Sequence, residues 1–117
     1  MTKKKVNDIQ VRTGLNKESL REDIKLHLRH TLAKDEFSKT SWDEYRSVVL
    51  TLVDRLHDKW IKTQQHYHNS GVKRVYYLSM EYLIGRLLDN MVVNLDVQQE
   101  VADAIADLGL DLSLIHI

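Results

Sequence analysis

The sequence has no cysteine and no proline, and it contains only four glycines among 117 residues. Without cysteine the chain can form neither disulfides nor a thiolate site, and we expect a cytoplasmic protein. The scarcity of glycine and proline favours a mainly helical chain with few sharp turns. Seventeen basic residues balance seventeen acidic ones, so no net charge favours nucleic acid or an anionic membrane as a partner. No apolar run approaches the roughly 20 residues of a transmembrane helix.

Apolar residues at intervals of three and four predict helices over about 17–33, 42–67 and 97–108. The predicted start signals are Asn16 for the first helix, a capping box of Ser41 and Glu44 for the second, and Asp96 for the last. Gly71 and Gly109 can adopt the left-handed conformation, so we expect them to end the second and the last of these helices.

The stretch from Val75 to Leu95 changes its period part-way. Its first four residues, 75–78, are β-branched, aromatic or aliphatic and predict a short buried strand. After Glu81, two apolar rows recur every four residues and predict a helix buried over a wide face. The fold class is therefore mainly α with one short strand, which brings the carboxylate of Glu81 to the start of a helix. Groups at the ends of strands are often exposed for binding while the elements behind them are rigid.

Two segments resemble the α-glucan phosphorylases. Residues 76–95, YYLSMEYLIGRLLDNMVVNL, are similar to a signature near the N-terminus of that family. Residues 60–67, WIKTQQHY, are similar to a second family segment at the expected distance upstream. The similarity extends from about Leu32 to about Asp111. It implies that residues 16–111 are the helical segment and first strand of an N-terminal domain in a two-domain α/β enzyme of the glycosyltransferase-B type.

The resemblance also implies an activity for the parent enzyme. Phosphorylases of glycogen, starch and maltodextrin use inorganic phosphate to remove glucose from an α-1,4-glucan, and they release glucose 1-phosphate. They work as homodimers with pyridoxal phosphate bound to a lysine, and the phosphate of this cofactor takes part in proton transfer. Because the cofactor lysine and the second domain are not among these 117 residues, we expect this fragment alone to be inactive and to bind no cofactor.

Individual residues acquire roles through the same resemblance. Glu81 would lie in the active-site cleft and support the reaction by orienting water or substrate; without the resemblance it is an acid at a helix N-terminus. Leu83 stands near the cofactor, where some members place a tyrosine, and could make only apolar contact.

A second group matches the AMP effector site at the subunit interface of animal phosphorylases. Asp35, Trp60, Gln64 and Gln65 match the pattern of that site, and His68 occupies a fifth position of it. His68 replaces a stacking tyrosine and Phe37 replaces an asparagine, which puts AMP control in doubt and leaves dimer packing as the role. By spacing alone, Trp60 is a core tryptophan with polar neighbours.

The two ends of the chain are interpreted separately. We expect residues 1–15 to be a mobile tail, in which 9–12 are similar to the regulatory segment of animal phosphorylases. The phosphorylatable serine of that segment corresponds to Gln10, which has no hydroxyl. Residues 112–117 are expected to be non-native, and the alternative is an apolar tail packed on the core.

Two other classes of function stay open. The chain could be a non-enzymatic helical interaction module that uses Trp60 and the long helix, and such a module should melt cooperatively. It could also be a small zinc protein, with the histidine pairs His27/His30 and His66/His68. Zinc sites take three or four ligands and no pattern joins these pairs, so we expect no metal.

Overall fold

A computed structural model describes residues 10–81, 85 and 87–111 of the chain. In these ranges it contains four α-helices and a π-helical turn, and no residue lies in a strand. The elements in chain order are α1 (Lys17–Leu26), the π-turn (His27–Thr31), α2 (Ser41–Ser70), α3 (Leu87–Leu95) and α4 (Gln98–Asp107). The predicted mainly helical class is confirmed.

Helix α1 begins where the sequence predicts. The Asn16 side chain accepts a hydrogen bond of 2.8 Å from the backbone N–H of Ser19, which satisfies one of the unpaired donors of the first turn. The helix then widens into the π-turn, where the N–H of Leu32 donates to the carbonyl of His27 at 2.9 Å. The two elements together fill the predicted helix at 17–33 except for its last two residues.

Helix α2 is capped one residue earlier than predicted. Thr40 is the N-cap, and its hydroxyl accepts the N–H of Asp43 at 3.3 Å while the Asp43 carboxylate accepts the N–H of Thr40 at 3.0 Å. The predicted box of Ser41 and Glu44 is therefore wrong. Two hydroxyl residues precede two acidic ones at the same spacing, and the earlier pair is used because the helix begins at Ser41. Glu44 instead pairs with Lys39 at 2.9 Å.

The far end of α2 confirms the prediction for Gly71, which has a φ of 57° and donates its N–H to the carbonyl of His68. The predicted strand at 75–78 is wrong for this structure, because residues 72–79 are irregular and exposed. A strand needs a neighbouring strand for its backbone hydrogen bonds, and the described part of the chain offers none.

Helix α4 departs from the prediction at its start. Of the helix predicted after Glu81, the structure describes Leu87–Leu95 as helical and Gly85, a poor helix former, as irregular chain. The rest of its predicted first turns, 82–84 and 86, lies outside the described residues. Asp96 is not an N-cap. It has a φ of 57°, a left-handed conformation that aspartate tolerates better than most residues, and it makes the short link between the two helices. Gly109, with a φ of 63°, closes α4 as predicted.

The core lies where α1, the first half of α2 and α4 meet. Among the described residues its buried apolar members are Leu20, Ile24, Val48, Leu52, Leu95, Val97, Val101, Ala104 and Leu110. At its edge Lys17 donates to Asp107 at 2.9 Å, and this hydrogen bond raises the pKa of Lys17 and lowers the pKa of Asp107. No helix in the described ranges combines the length and the hydropathy needed to cross a membrane.

Candidate functional site

The second half of α2 carries most of the residues singled out for an effector site. Trp60 is 65% exposed, so the interpretation of this residue as a core tryptophan is wrong for this structure. Gln64 is half-buried and Tyr67 is 41% exposed. Their spacing along the helix puts the three side chains on one face, where they line an open cavity of about 610 Å³ together with residues 72–76.

The walls of this cavity combine aromatic, amide and cationic groups. The guanidinium of Arg74 lies 5.8 Å from the centroid of the Tyr67 ring, within the range of a cation–π contact. Lys73 is a second cation on the same wall. Such a lining can accept a planar molecule that carries negative charge, since the rings provide stacking surfaces and the cations provide charge.

Asp35 lies elsewhere, in the loop between the π-turn and α2. Its Oδ1 accepts hydrogen bonds from Ser38 Oγ at 2.6 Å, Ser38 N at 2.8 Å and Phe37 N at 3.1 Å. The Ser38 hydroxyl bond, followed by the backbone bonds, holds the pKa of Asp35 below its usual value. The carboxylate therefore organises its own loop, and it also lines a second open cavity, of about 450 Å³.

The second cavity has an apolar floor of Leu28, Leu108 and Leu110 under a rim of charged side chains. Three of its lysines already pair with carboxylates of the chain. Lys25 pairs with Glu22 at 3.0 Å, Lys34 with Asp43 at 3.8 Å and Lys39 with Glu44 at 2.9 Å. The rim is consequently much less cationic than its composition indicates.

The structure therefore divides the five predicted effector or interface residues. Trp60 and Gln64 share the first cavity and Asp35 lines the second, whereas Gln65 and His68 are exposed and line neither. A single copy of the chain does not bring Asp35 to the aromatic cavity.

Glu81 is exposed at the end of the irregular stretch. The hydroxyl of Ser79 accepts the N–H of Glu81 at 3.2 Å and donates to its carbonyl at 2.7 Å, so a local turn holds the backbone and leaves the carboxylate open to solvent. Leu83 lies outside the described residues. The described surroundings of Glu81 do not fit pyridoxal phosphate, because this side chain lines neither cavity and no wall encloses it.

The histidines of the two predicted pairs, His27/His30 and His66/His68, differ in burial and in contacts. His27 is buried, and its Nε2 lies 3.1 Å from Asp54 Oδ2 while its Nδ1 lies 3.0 Å from Thr31 Oγ1. His30, His66 and His68 are exposed. In the described ranges no three histidine, aspartate or glutamate side chains are grouped so that they could hold a metal ion.

A buried ion pair, which we call the clamp, escaped the sequence interpretation. It consists of Asp23 and Arg55, which are 1% and 2% exposed. Arg55 donates from Nε and Nη2 to the carbonyl of Gly14 at 3.0 and 2.7 Å, and Nη2 also donates to Asp23. Asp23 accepts the backbone N–H of Arg12 at 2.8 Å. The sequence did contain a signal for this ion pair. Asp23 and Arg55 lie next to the apolar rows of α1 and α2, and a charge on a buried face requires a partner.

Comparison with curated proteins relates this arrangement to one enzyme family. Over 97 residues the chain is 43% identical to the liver form of human glycogen phosphorylase and 42% identical to the muscle form from sheep (Ovis aries). Over 93 residues it is 44% identical to the human brain form. These alignments cover 80–83% of this chain. The chain is a homologue of the N-terminal region of the glycogen phosphorylases. No protein-family model matches it.

The relationship to glycogen phosphorylase covers every candidate residue, although it covers little of the relatives. An alignment of 97 residues in a chain of 117 must include residues 21–97 wherever it starts. Both cavities' candidate residues and Glu81 fall in that range. The chain spans only about 12% of the length of the liver and muscle relatives.

Proposed function

We propose that this chain forms the N-terminal part of an α-glucan phosphorylase, which uses inorganic phosphate to release glucose 1-phosphate from an α-1,4-glucan. The observation that carries the proposal is 43% identity over 97 residues to human liver glycogen phosphorylase. The glucan, the phosphate, pyridoxal phosphate and a homodimeric state belong in this proposal to the whole enzyme. The 117 residues are inactive alone, because they correspond to about 12% of such an enzyme.

In the proposed enzyme, Glu81 supports the reaction by orienting water or substrate. Its carboxylate is exposed three residues after the run 75–78, and a run without polar alternation is typical of a strand covered on both faces of a parallel sheet. If further polypeptide supplies that sheet, Glu81 lies beyond the carboxyl end of a strand, where α/β proteins bind ligands.

The aromatic cavity serves in the proposed enzyme as an effector-like site or as part of a dimer interface. The exposure of Trp60 and the neighbouring cations Lys73 and Arg74 support this role. Because Asp35 lines the other cavity, a site that uses both Asp35 and Trp60 requires two copies of the chain.

A chimeric enzyme tests the proposed activity. The chain replaces the corresponding region of human liver glycogen phosphorylase, and the assay measures glucose 1-phosphate from glycogen and phosphate. We expect the chimera to be active and the 117-residue chain alone to form no product. A folded chimera without activity, or product formation by the chain alone, would contradict the proposal.

Two variants of the chimera test the role of Glu81. Because misplacement of a reacting group lowers the rate more than the affinity, we expect Glu81→Gln to reduce kcat at least about tenfold with a smaller change in KM. Asp89→Asn is the matched control, since Asp89 is an exposed carboxylate on α3, and it should leave both constants unchanged. Equal kinetics for the two variants would remove Glu81 from the mechanism.

A non-enzymatic interaction module is the second candidate. It is favoured by the exposed apolar side chains of α2, with Trp60 at 65% and Ile61 at 54% exposure. A module of this kind unfolds in one cooperative transition, whereas a part that depends on further polypeptide gives a broad transition and exposes apolar surface. Calorimetry of the 117-residue chain distinguishes the two cases.

A further inference from the structure

The clamp of Asp23 and Arg55 leaves one carboxylate oxygen unmatched. Asp23 is 1% exposed, and its Oδ2 accepts hydrogen bonds from the backbone N–H of Arg12 and from Nη2 of Arg55. Its Oδ1 is buried too, and no donor in the described part of the chain reaches it. A buried carboxylate oxygen without a donor is costly, so an atom of this kind in a native protein usually has a bound group beside it.

Arg55 has an unmatched donor in the same cluster. Its Nε and Nη2 donate to the carbonyl of Gly14, Nη2 also donates to Asp23, and Nη1 donates to the carbonyl of Thr51 at 2.8 Å. Because Nη1 carries two hydrogens and makes this one bond, its second N–H meets no acceptor among the described residues. Arg55 is 2% exposed, so bulk solvent does not satisfy that donor.

The two unmatched groups belong to one incomplete ion pair. A carboxylate and an arginine often make two parallel hydrogen bonds, one to each oxygen. Because Nε and Nη2 share the carbonyl of Gly14, the bond from Nη2 to Asp23 uses the side of the planar guanidinium that Nη1 shares. Only the bond to Oδ2 forms on that side. A small group that accepts from Nη1 and donates to Oδ1 would complete the pair.

Ser19 contributes a second buried donor. It lies one helical turn before Asp23 on the same face of α1 and is 0% exposed. Its Oγ accepts the N–H of Gln10 at 3.0 Å, but its hydroxyl hydrogen donates to no atom of the described chain. The Cβ atoms of residues four apart on a helix are about 5–6 Å from each other, a distance over which one water molecule can bridge two short side chains.

We propose that the clamp binds a single buried water molecule. The water donates a hydrogen bond to Asp23 Oδ1 and accepts hydrogen bonds from Arg55 Nη1 and from the Ser19 hydroxyl. Buried waters typically make about three hydrogen bonds to polar groups that otherwise have no partner. A neutral ligand fits this position because Asp23 and Arg55 already balance each other, and an added ion would be buried without a counter-charge.

The water connects the three parts of the chain that meet at the clamp. Ser19 and Asp23 belong to α1 and Arg55 belongs to α2, while the two α1 side chains also hold the backbone N–H groups of Gln10 and Arg12. A buried polar network in which every member has a partner fixes the arrangement of the elements that carry it. This inference goes beyond the proposed function and does not depend on it, since the water site requires neither glucan nor cofactor.

A high-resolution crystal structure tests the site directly, either of the 117-residue chain or of the chimeric enzyme. We expect an ordered water about 2.5–3.2 Å from Asp23 Oδ1, with Arg55 Nη1 and Ser19 Oγ at similar distances from it. A direct hydrogen bond from Ser19 or Arg55 to Oδ1 would overturn the proposal. So would an ion at this position, or an Oδ1 that has no partner at all.

NMR of the 117-residue chain provides a second measurement, with the Nη1 hydrogens of Arg55 as the reporter. We expect a dipolar cross-peak between them and a long-lived water. Ser19→Ala should reduce this cross-peak at least about twofold, because the water loses one of three partners. Ser47→Ala is the matched control, since Ser47 is also 0% exposed but its hydroxyl donates to the carbonyl of Glu44, and it should leave the cross-peak unchanged. Equal losses in the two variants, or a folded wild-type chain without the cross-peak, would contradict the proposal.

These results are separate from the test of the proposed function. An active chimera in which Asp23 Oδ1 has no water beside it would support the phosphorylase assignment and reject the water site. A folded but inactive chimera that holds the water would give the opposite result.

Discussion

The two halves of helix α2 have the same helical spacing of apolar residues but different surroundings. In the first half Val48, Leu52 and Arg55 are 1–2% exposed, whereas in the second half Trp60 and Ile61 are 65% and 54% exposed. In the first half Val48 and Leu52 belong to the apolar core, whereas Trp60 and Ile61 of the second half lie outside it. Periodicity therefore predicts the helix and its apolar face, but burial depends on whether another element covers that face.

The largest expected loss of stability comes from breaking the clamp, which lies in the buried half of α2. Arg55→Met leaves Asp23 as an uncompensated buried charge and removes the bonds to Gly14, so we expect a loss of about 3–5 kcal/mol of unfolding free energy. Lys62→Met is the control in the other half. Lys62 pairs with Asp58 at 2.6 Å but its side chain is 71% exposed, and this change should cost less than about 0.5 kcal/mol. Urea denaturation measures both, and similar losses would contradict the distinction.

A second test compares apolar side chains of the two halves. Leu52 is 1% exposed, so Leu52→Ala should leave a cavity and lower the free energy of unfolding by about 2–5 kcal/mol. Ile61→Ala should change it by less than about 0.5 kcal/mol, since Ile61 lies on a solvated face. A comparable loss at Ile61 would indicate that the second half of α2 is covered in solution, as in a dimer.

A smaller effect is expected at the start of the buried half. Thr40→Ala removes both the cap on Asp43 N and a donor to the Asp43 carboxylate, and it should cost about 0.5–2 kcal/mol. Ser41→Ala is the neighbouring control, and it should be almost neutral because Ser41 lies inside the helix. If Ser41→Ala lowers the free energy of unfolding more than Thr40→Ala does, in thermal or urea unfolding, Ser41 is the N-cap as the sequence predicted.

The smallest effect concerns pH. The hydroxyl and backbone bonds from Thr40 hold the pKa of Asp43 below its usual 3.8. A lowered folded-state pKa means that the stabilisation is present above pH 4 and is lost as the pH falls through the lowered value. The stability of the wild-type chain should therefore fall more steeply below pH 4 than that of Thr40→Ala, which lacks the hydroxyl. Parallel curves in urea denaturation between pH 2 and pH 7 would refute this.

The sequence predicted the helices well because the signals for them are local. Asn16, Gly71 and Gly109 act as predicted, since a cap depends on residues within one turn. The N-cap of α2 was predicted wrongly because Thr40 and Ser41 are adjacent hydroxyl residues and either could cap the helix. The prediction also failed at Asp96, whose short side chain suits a left-handed linker as well as a cap.

The remaining features depend on contacts between residues far apart in the chain. The run 75–78 has strand propensity, but a strand requires a partner that the described chain does not supply. Asp23 and Arg55 are 32 positions apart, so periodicity could not pair them. The candidate residues were assigned through the family resemblance, and only the structure separates Asp35 from the cavity of Trp60 and Gln64.

The clamp has a consequence for how the segment before α1 can evolve. Asp23 and Arg55 contact the N–H of Arg12 and the carbonyl of Gly14, groups that nearly every residue possesses. Val11 and Thr13 are exposed, so they can be replaced by other residues without altering the path of the chain. Two positions are constrained. A Cβ atom at Gly14 would collide with the Ser19 side chain, and Arg12 has a φ of 65°, which β-branched residues adopt only with strain. Homologues can therefore share this path while their sequences around it diverge, provided that the glycine and the ion pair remain.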